Sequence, residues 1–172
     1  MKNLFLIGYR GTGKTAIGKE IAKSLKLNFA DTDMLIVELA KKSIPQIFES
    51  EGQEKFRAYE TSVLKSVSKK ENYVISCGGG IITKEQNFKL LKTGIVCLLH
   101  SDPKTIYNRI YNDKNRPPLT DKDPFEEIVH MLEQRKELYN KAKDFEIDSS
   151  KMSVKDCANL IIEKYNTLNI KN

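Results

Sequence analysis

The stretch GYRGTGKT, from Gly8 to Thr15, decides the fold of this chain. It fits the pattern G-x-x-x-x-G-K-[ST], in which a glycine-rich turn presents backbone N–H groups to phosphate oxygens. The apolar run LFLI precedes it, and the helical pattern AIGKEIAKSL follows it. A chance match would lack this strand and helix, so we predict a phosphate-binding loop at the N-terminus of a helix.

The end of the loop predicts the contacts that a nucleotide would make. Lys14 is expected to reach the β- and γ-phosphates, and the hydroxyl of Thr15 is expected to face Mg²⁺. The residues of this stretch that we predict to bind ATP are Gly11, Thr12, Gly13, Lys14, Thr15 and Ala16. The loop alone does not identify the group that receives the phosphate.

Short apolar runs alternate with helical patterns along the whole chain. Strands are predicted at residues 3–7, 28–30, 73–76, 95–99 and 145–147, and helices are predicted to begin near Lys14, Asp33, Gln53, Lys84, Asp102, Pro124 and Val154. Strands without polar alternation that are separated by helices indicate a parallel sheet covered on both faces. We therefore predict a three-layer α/β/α fold and, since no linker or repeat is visible, a single domain over residues 1–172.

The composition excludes several classes of protein. The chain has 172 residues, 40% of them hydrophobic, and no apolar run approaches a membrane span of about 18 residues. LFLI is too short for the core of a signal peptide, so a cytoplasmic protein without membrane contact is expected. The three cysteines form no C-x-x-C pair, which argues against a disulfide framework and against a zinc site.

The positive charge is carried mostly by lysine. The net charge is +6, and 24 lysines are scattered along predicted helix faces without a basic stripe, so no nucleic-acid partner is expected. Arginine occurs only five times, which favours sites that need a planar, bidentate donor. The five are Arg10, Arg57, Arg109, Arg116 and Arg135.

Two carboxylates follow the second predicted strand in the stretch FADTD. In an open parallel sheet, ligands bind at the carboxyl ends of the strands, so Asp31 and Asp33 lie at the ligand edge. With Thr15, they are the candidates for holding Mg²⁺, directly or through water, and one of them would face an acceptor hydroxyl. The alternative is that one of them caps the helix that begins near Met34.

The stretch CGGGI, from Cys77 to Ile81, follows a buried strand. Three successive glycines are entropically costly, and they favour close approach of a ligand to the backbone or a positive φ. A sharp turn between strand and helix, the simpler explanation, would need only one or two of them.

Two of the five arginines are candidates for binding an anion from predicted helices. Arg57 and Glu60 are spaced for an exposed i,i+3 ion pair, but neighbouring aromatic residues suggest the border of an apolar pocket. Arg135 falls on the apolar stripe that contains Leu132 and Tyr139, where it must either extend to solvent or bind an anion. We expect Arg57 and Arg135 to clamp a carboxylate together.

The segment YNDKNRPPLTDKDP, about residues 111–124, is polar and rich in proline, which predicts a functional lid. Arg116 in this segment would neutralise charge that develops on the transferring phosphoryl group, although it could also be a solvated loop residue. Arg109 is assigned to the nucleotide side by inference only, and the sequence gives Arg10 no role.

These motifs together resemble the shikimate kinase family in order and spacing over essentially the whole chain. The stretches that carry the resemblance are GYRGTGKTAIGKEIAKSL, FADTD, IPQIFESEGQEKFRAYE, CGGGI, RPPL and EQRKELY. The resemblance implies a P-loop kinase fold with a five-stranded parallel sheet. It also implies transfer of the γ-phosphoryl group of ATP to the 3-hydroxyl of shikimate, in the pathway to chorismate and the aromatic amino acids.

The resemblance also implies roles for individual residues. Asp33 would contact the shikimate hydroxyls, as a base or as an orienting group, and Glu60 would support Arg57. The implied catalytic residues are Lys14, Asp33 and Arg116, and the implied substrate-binding residues are Asp33, Arg57, Glu60, Gly79, Gly80 and Arg135. The substrate-binding segment is expected at about residues 33–61. Arg109 and Arg116 would join the phosphate loop in binding ATP. The stretch DSSKMSVKD is expected to border the adenine.

Two alternatives stay open from the sequence. A P-loop kinase for another small polyol acid, such as gluconate, would share the phosphate loop, but the paired arginines and the three glycines argue against it. A nucleotide-binding module without catalysis would bind ATP without an acceptor. For the chain as a shikimate kinase, a monomer is expected, with ATP or ADP and shikimate as its partners.

Overall fold

A computed structural model describes residues 1–111 and 123–170. It contains five parallel strands in the spatial order β2-β3-β1-β4-β5. The strands are β1 (Leu4–Ile7), β2 (Asn28–Asp31), β3 (Tyr73–Ser76), β4 (Ile95–His100) and β5 (Phe145–Asp148). All five lie where the apolar runs predicted them, with ends that differ by at most one residue, which confirms the predicted sheet.

Seven α-helices and one short 3-10 helix occupy the described part of the chain. They are α1 (Lys14–Leu25), α2 (Thr32–Ala40), α3 (Ile44–Val67), the 3-10 helix (Ile81–Thr83), α4 (Glu85–Leu91), α5 (Pro103–Ile110), α6 (Pro124–Ala142) and α7 (Val154–Ile170). Asp102 and Asp123 cap α5 and α6 with their side chains, and a proline follows each of them. In both helices, an aspartate followed by a proline is the sequence signal for the start of the helix.

The central strand β1 packs against helices on both faces of the sheet. Its residues alternate, so that Leu4 belongs to a cluster with Ile161 of α7. Phe5 belongs to a second cluster with Leu64 of α3 and Ala142 of α6. All four residues of β1 are fully buried, which explains its uninterrupted apolar sequence and confirms the three-layer α/β/α arrangement.

Helix α3 consists of two helical segments joined by a kink at Gly52, where φ is 80° and ψ is 170°. The second segment begins at Gln53, as the sequence pattern predicted, and the first segment was not predicted. The helix itself begins at Ile44, after a capping box in which Ser43 and Gln46 exchange hydrogen bonds between side chain and backbone. The signal for this start was present in the stretch SIPQ, a serine followed three residues later by glutamine.

Residues from both sides of the Gly52 kink in α3 form one wall of a small apolar unit. Ile47 and Phe56 of α3 pack with Ile36 of α2 in a cluster separate from the two that flank the sheet. This unit places aromatic side chains next to the carboxyl ends of β2 and β3.

Cys77, Cys97 and Cys157 are buried and unpaired. None of the helices within residues 1–111 and 123–170 is both long enough and apolar enough to cross a membrane.

Removal of the cap should destabilise the start of α3. We expect Ser43→Ala to lower the free energy of unfolding by about 1 kcal/mol, because Ala cannot accept the hydrogen bond from the backbone N–H of Gln46. Urea unfolding measures the change. The control is Ser62→Ala at an exposed position inside the same helix, where Ala should cost nothing or stabilise slightly. Equal effects of the two substitutions would contradict the capping role.

Candidate active site

The phosphate loop between β1 and α1 is held in a strained turn that requires glycine. Gly8, Gly11 and Gly13 have φ values of 139°, 82° and 91°. A Cβ atom at Gly8 would lie 2.0 Å from the carbonyl oxygen of Leu99, so no side chain fits there. The Nζ of Lys14 donates to the carbonyl oxygens of Gly8 and Tyr9, both at 2.8 Å. The loop therefore curls around the ammonium group of Lys14.

A cavity of about 290 Å³ opens beside this loop. Its lining residues are Gly11, Gly13, Lys14, Thr15, Ala16, Asp31, Asp33, Ser76, Cys77, Arg109 and Ile110. The set includes every described residue that was predicted for ATP or metal binding except Thr12. Thr12 is fully buried, and its hydroxyl donates to the carbonyl oxygen of Tyr9 at 2.8 Å, which ties the side chain to the loop itself.

Hydroxyl and carboxylate oxygens meet at one wall of this cavity. The Oγ1 of Thr15 donates to Oδ2 of Asp31 at 2.7 Å and lies 3.3 Å from Oγ of Ser76. The other carboxylate oxygen of Asp31 accepts from the backbone N–H of Asp33 at 3.0 Å, so Asp31 also caps α2. The capping alternative thus holds for Asp31, while its second oxygen still points toward Thr15.

This set of oxygen donors fits Mg²⁺. Magnesium usually keeps several waters and takes one or two protein oxygens together with substrate phosphates. Thr15 and Asp31 supply two such oxygens next to Lys14 at the phosphate end of the cavity. Within the described residues, no group of three or more His, Cys, Asp or Glu side chains forms a closed metal cage.

Arg109 ties the end of α5 to the phosphate loop. Its guanidinium donates to the carbonyl oxygens of Gly11 at 3.2 Å and of Ser149 at 2.8 Å. The hydroxyl of Ser149 lies within hydrogen-bond distance of the carbonyl oxygen of Thr12 at 2.8 Å. The segment after β5, which was expected to border the adenine, is therefore attached to the loop. Ser149 itself carried no signal in the sequence.

A second cavity, of about 80 Å³, lies on the other side of Asp33. Its lining residues are Arg10, Asp33, Ile44, Phe48, Phe56, Arg57, Glu60, Gly79, Gly80 and Arg135. All six residues that were predicted to bind the acceptor line this cavity. Asp33 lines both cavities, so its carboxylate lies where a donor and an acceptor would meet. Arg10, Ile44 and the two phenylalanines are additions that the sequence did not assign.

Arg57 and Glu60 form a buried ion pair rather than an exposed one. The two residues are 6% and 1% exposed, and NH1 of Arg57 donates to Oε2 of Glu60. The guanidinium also lies over the ring of Phe56, 5.4 Å from its centroid. A charged pair at this depth persists only with good geometry and further contacts, which the aromatic wall provides.

Two of the three glycines after β3, Gly78 and Gly80, make room for these charged side chains. None of Gly78, Gly79 and Gly80 has a positive φ, so backbone conformation does not explain them. A Cβ atom on Gly80 would lie 2.0 Å from NH1 of Arg57. One on Gly78 would lie 2.5 Å from Oδ1 of Asp33. The turn is glycine-rich because its backbone runs directly against the side chains of the second cavity.

Arg135 is buried and does not extend to solvent. It is 6% exposed, and NH1 donates to the carbonyl oxygen of Gly79 at 3.2 Å. The hydroxyl of Tyr139 donates to the same carbonyl oxygen at 2.7 Å. These bonds hold α6 against the glycine turn and keep the guanidinium of Arg135 at the cavity wall.

The electrostatics of the second cavity favour a partly neutral Glu60. Burial raises the pKa of Glu60 to about 7, and the charge of Asp33 acts in the same direction. The charge and the hydrogen bond of Arg57 oppose this effect without cancelling it.

Arg116 and most of the predicted lid, residues 112–122, lie outside the described residues.

Together these features define a P-loop kinase for a small anionic alcohol. The first cavity presents a phosphate loop and oxygen donors for a nucleotide, and the second combines buried guanidinium groups with a carboxylate at the junction. Recognition of a carboxylate needs donors such as Arg57 and Arg135, and a hydroxyl acceptor needs a carboxylate such as Asp33.

Comparison with known proteins assigns the family. The shikimate kinase family model matches residues 10–166. A shikimate kinase of Caldanaerobacter subterraneus is 39% identical over 166 residues, which cover 96% of each chain. The solved structure of shikimate kinase from Acinetobacter baumannii in complex with shikimate superposes with a TM-score of 0.93 at 34% identity, covering 97% of this chain and 94% of that one. The chain belongs to the shikimate kinase family.

A more distant neighbour bears on one of the alternatives. A gluconokinase from Sinorhizobium meliloti superposes with a TM-score of 0.65 at 16% identity, covering 99% of this chain and 97% of that one. An identity this low shows a shared fold and nothing about the acceptor.

The contact between Gly80 and Arg57 predicts a mutational effect on acceptor binding. We expect Gly80→Ala to raise KM for shikimate roughly 10- to 100-fold, because the new Cβ displaces a charged donor of the cavity. Gly79→Ala is the matched control, since its Cβ would meet no atom closer than 3.4 Å and should cost less. Steady-state kinetics at saturating ATP compare the two, and an equal loss would refute the steric explanation.

The raised pKa of Glu60 predicts a pH-dependent stability. An unfolded glutamate loses its proton near 4.5, whereas folded Glu60 keeps it up to about 7. Between these values the folded state binds more protons, so stability falls as pH rises and then levels off above 7. The contribution is on the order of 3 kcal/mol. Urea unfolding from pH 4.5 to 8 should show this decline in the wild type and a flatter profile in Glu60→Gln. Parallel profiles would contradict the assignment.

Proposed function

We propose how the residues of this chain divide the work of the shikimate kinase reaction. In that reaction, which is this chain's activity, the γ-phosphoryl group of ATP passes to the 3-hydroxyl of shikimate. The observation that carries the division is the position of Asp33, whose side chain lines both the nucleotide cavity and the acceptor cavity. Donor and acceptor would therefore meet at this carboxylate.

The nucleotide side provides positioning and positive charge. Backbone N–H groups of the loop and the N-terminus of α1 would receive the phosphates, and the ammonium of Lys14 would lie against the β- and γ-phosphates. The hydrogen bonds of Lys14 to Gly8 and Tyr9 hold the ammonium in place before the nucleotide binds. Arg109, anchored on Gly11 and Ser149, would stabilise the nucleotide side of the loop.

Thr15 and Asp31 are the residues that would hold Mg²⁺, and Asp33 would contact its water shell. Bound there, the ion would neutralise negative charge on the nucleotide phosphates. Their oxygens already lie within 2.7 Å of each other at the phosphate end of the cavity.

The acceptor side would grip the carboxylate of shikimate. Arg57 and Arg135 approach the cavity from α3 and α6, so the anion would be bound from two directions. Glu60 keeps Arg57 in place, and the carbonyl oxygen of Gly79 does the same for Arg135. The backbone of Gly79 and Gly80 would contact the ring of the substrate.

Asp33 would complete the transfer. Its carboxylate would accept a hydrogen bond from the 3-hydroxyl and take up the proton as the new O–P bond forms. The bond between the γ-phosphorus and the bridging oxygen of ADP breaks in the same displacement. Since phosphoryl transfer needs little covalent help, this positioning would carry much of the catalysis. The role of Arg116, which would neutralise negative charge on the transferring phosphoryl group, rests on the sequence alone.

The direct test is ADP release with Mg²⁺–ATP in the presence of shikimate, of gluconate or of neither. We expect strong stimulation by shikimate alone. In the same assay, Asp33→Ala should lower kcat by about 10²- to 10⁴-fold. Arg135→Ala should raise KM for shikimate roughly 10- to 100-fold, because a charged donor is lost. Lys136→Ala, which removes an exposed cation next to Arg135, is the control and should change neither constant.

Each contrary outcome has a distinct meaning. Stimulation by gluconate would show that the acceptor assignment is wrong. ATP binding without ADP release in the presence of either acceptor would favour the nucleotide-binding module. Near-normal kcat/KM in Asp33→Ala would remove Asp33 from the catalytic role. A monomer, a cytoplasmic location, a single kinase domain over residues 1–172 and the lack of a nucleic-acid partner stay predictions from the sequence.

A further inference from the structure

We infer that Arg10 and Glu127 form a positioning pair that fixes the phosphate loop relative to the acceptor-binding helix α6. The inference rests on the proposed division of roles, because it concerns the distance between the donor held by the loop and the acceptor held by Arg135. Arg10 is the variable residue two positions after Gly8 in the loop pattern, where the motif itself demands no side chain.

The contact joins two distant parts of the chain. NH2 of Arg10 donates to Oε1 of Glu127, and the side chains are 14% and 2% exposed. Arg10 lies within the phosphate loop, and Glu127 lies in the first turn of α6, 117 positions later. A charge as buried as Glu127 is costly without a cationic partner, so the pair holds loop and helix together.

A second contact joins the same loop to the same helix. The guanidinium of Arg10 lies 5.6 Å from the centroid of the Tyr9 ring, and that of Arg135 lies 5.8 Å from it. Tyr9 is 1% exposed, so its ring is a fixed surface for both cations. The loop is thereby attached to α6 near its start, through Glu127, and again two turns later, through Arg135.

Arg10 also reaches the acceptor cavity directly from the nucleotide side. It lines the second cavity together with Arg57 and Arg135, although it belongs to the loop that lines the first. Displacement of this side chain would move the wall between donor and acceptor. Because transfer depends on alignment of the two substrates, a shift of about 1 Å at this wall is enough to reduce turnover.

The kinetic effect of substituting Arg10 should be confined to the acceptor side of the site. Lys14 and Thr15 make contacts that do not involve Arg10, so affinity for the nucleotide should be kept. KM for shikimate should rise and kcat should fall, since both the grip of Arg135 and its distance from the phosphate change. Substitution of a residue that only stabilised the fold would lower the free energy of unfolding. It would not weaken the kinetics with shikimate while leaving the affinity for the nucleotide unchanged.

The experiment compares Arg10→Met, Arg10→Lys and the double variant Arg10→Met with Glu127→Gln. Each is measured for kcat, KM for shikimate, affinity for a non-hydrolysable ATP analogue, and urea unfolding. We expect Arg10→Met to lose roughly 10- to 100-fold in kcat/KM for shikimate with analogue affinity within about twofold of wild type. Arg10→Lys should recover part of the loss, since it keeps the charge without the fork.

The double variant separates positioning from stability. It removes the buried unpaired carboxylate, so stability should return toward wild type while KM for shikimate stays raised. Recovery of the kinetics together with stability would overturn the inference and leave a structural ion pair. Normal kinetics in Arg10→Met would overturn it as well. Failure of the proposed function is a different result, because then the wild type itself would show no shikimate-dependent release of ADP.

Discussion

The turn that seats Lys14 is the constraint on which both cavities depend. Its ammonium is held by the carbonyl oxygens of Gly8 and Tyr9, in a loop whose shape requires glycine at Gly8. The turn follows β1, the central and fully buried strand, and its neighbours β3 and β4 run parallel to it. Parallel pairing brings the carboxyl ends of β1, β2 and β3 to one edge, where Asp31 and the glycine turn meet the loop.

Buried positive charge then organises the acceptor side. Three guanidinium groups line one small cavity, and each is compensated in a different way. Arg57 is paired with Glu60 from its own helix, Arg10 with Glu127 from a distant one, and Arg135 with a backbone carbonyl and the ring of Tyr9. Because every guanidinium is restrained by a different element, an anion bound between them would be fixed relative to the loop, α3 and α6 at once.

The sequence was sufficient for the parts that depend on local pattern. The positions of the strands, the phosphate loop and the carboxylates after β2 are each visible within a few residues, and the resemblance to a family supplied the acceptor. The start of α3 was missed although the cap signal at Ser43 was present, because the helix pattern is interrupted at Gly52. The pair of Arg10 with Glu127 could not be predicted, since it depends on how α6 packs against the loop.

Two of the three successive glycines after β3 have a structural reason that the sequence did not indicate. The three glycines suggested ligand approach or a positive φ. The structure excludes a positive φ and shows a further reason for two of them, since Gly78 lies against Asp33 and Gly80 against Arg57. A Cβ at Gly78 would lie 2.5 Å from Asp33 and 2.9 Å from Glu60, so one missing side chain allows two carboxyl groups to approach the same point. Burial, with a smaller contribution from the charge of Asp33, raises the pKa of Glu60 to about 7 against the opposing effect of Arg57. Two carboxyl groups in one site with different surroundings can take different roles. Glu60 is tied to Arg57, which leaves Asp33, the only one of the two that lines both cavities in the described structure, to face the reacting hydroxyl.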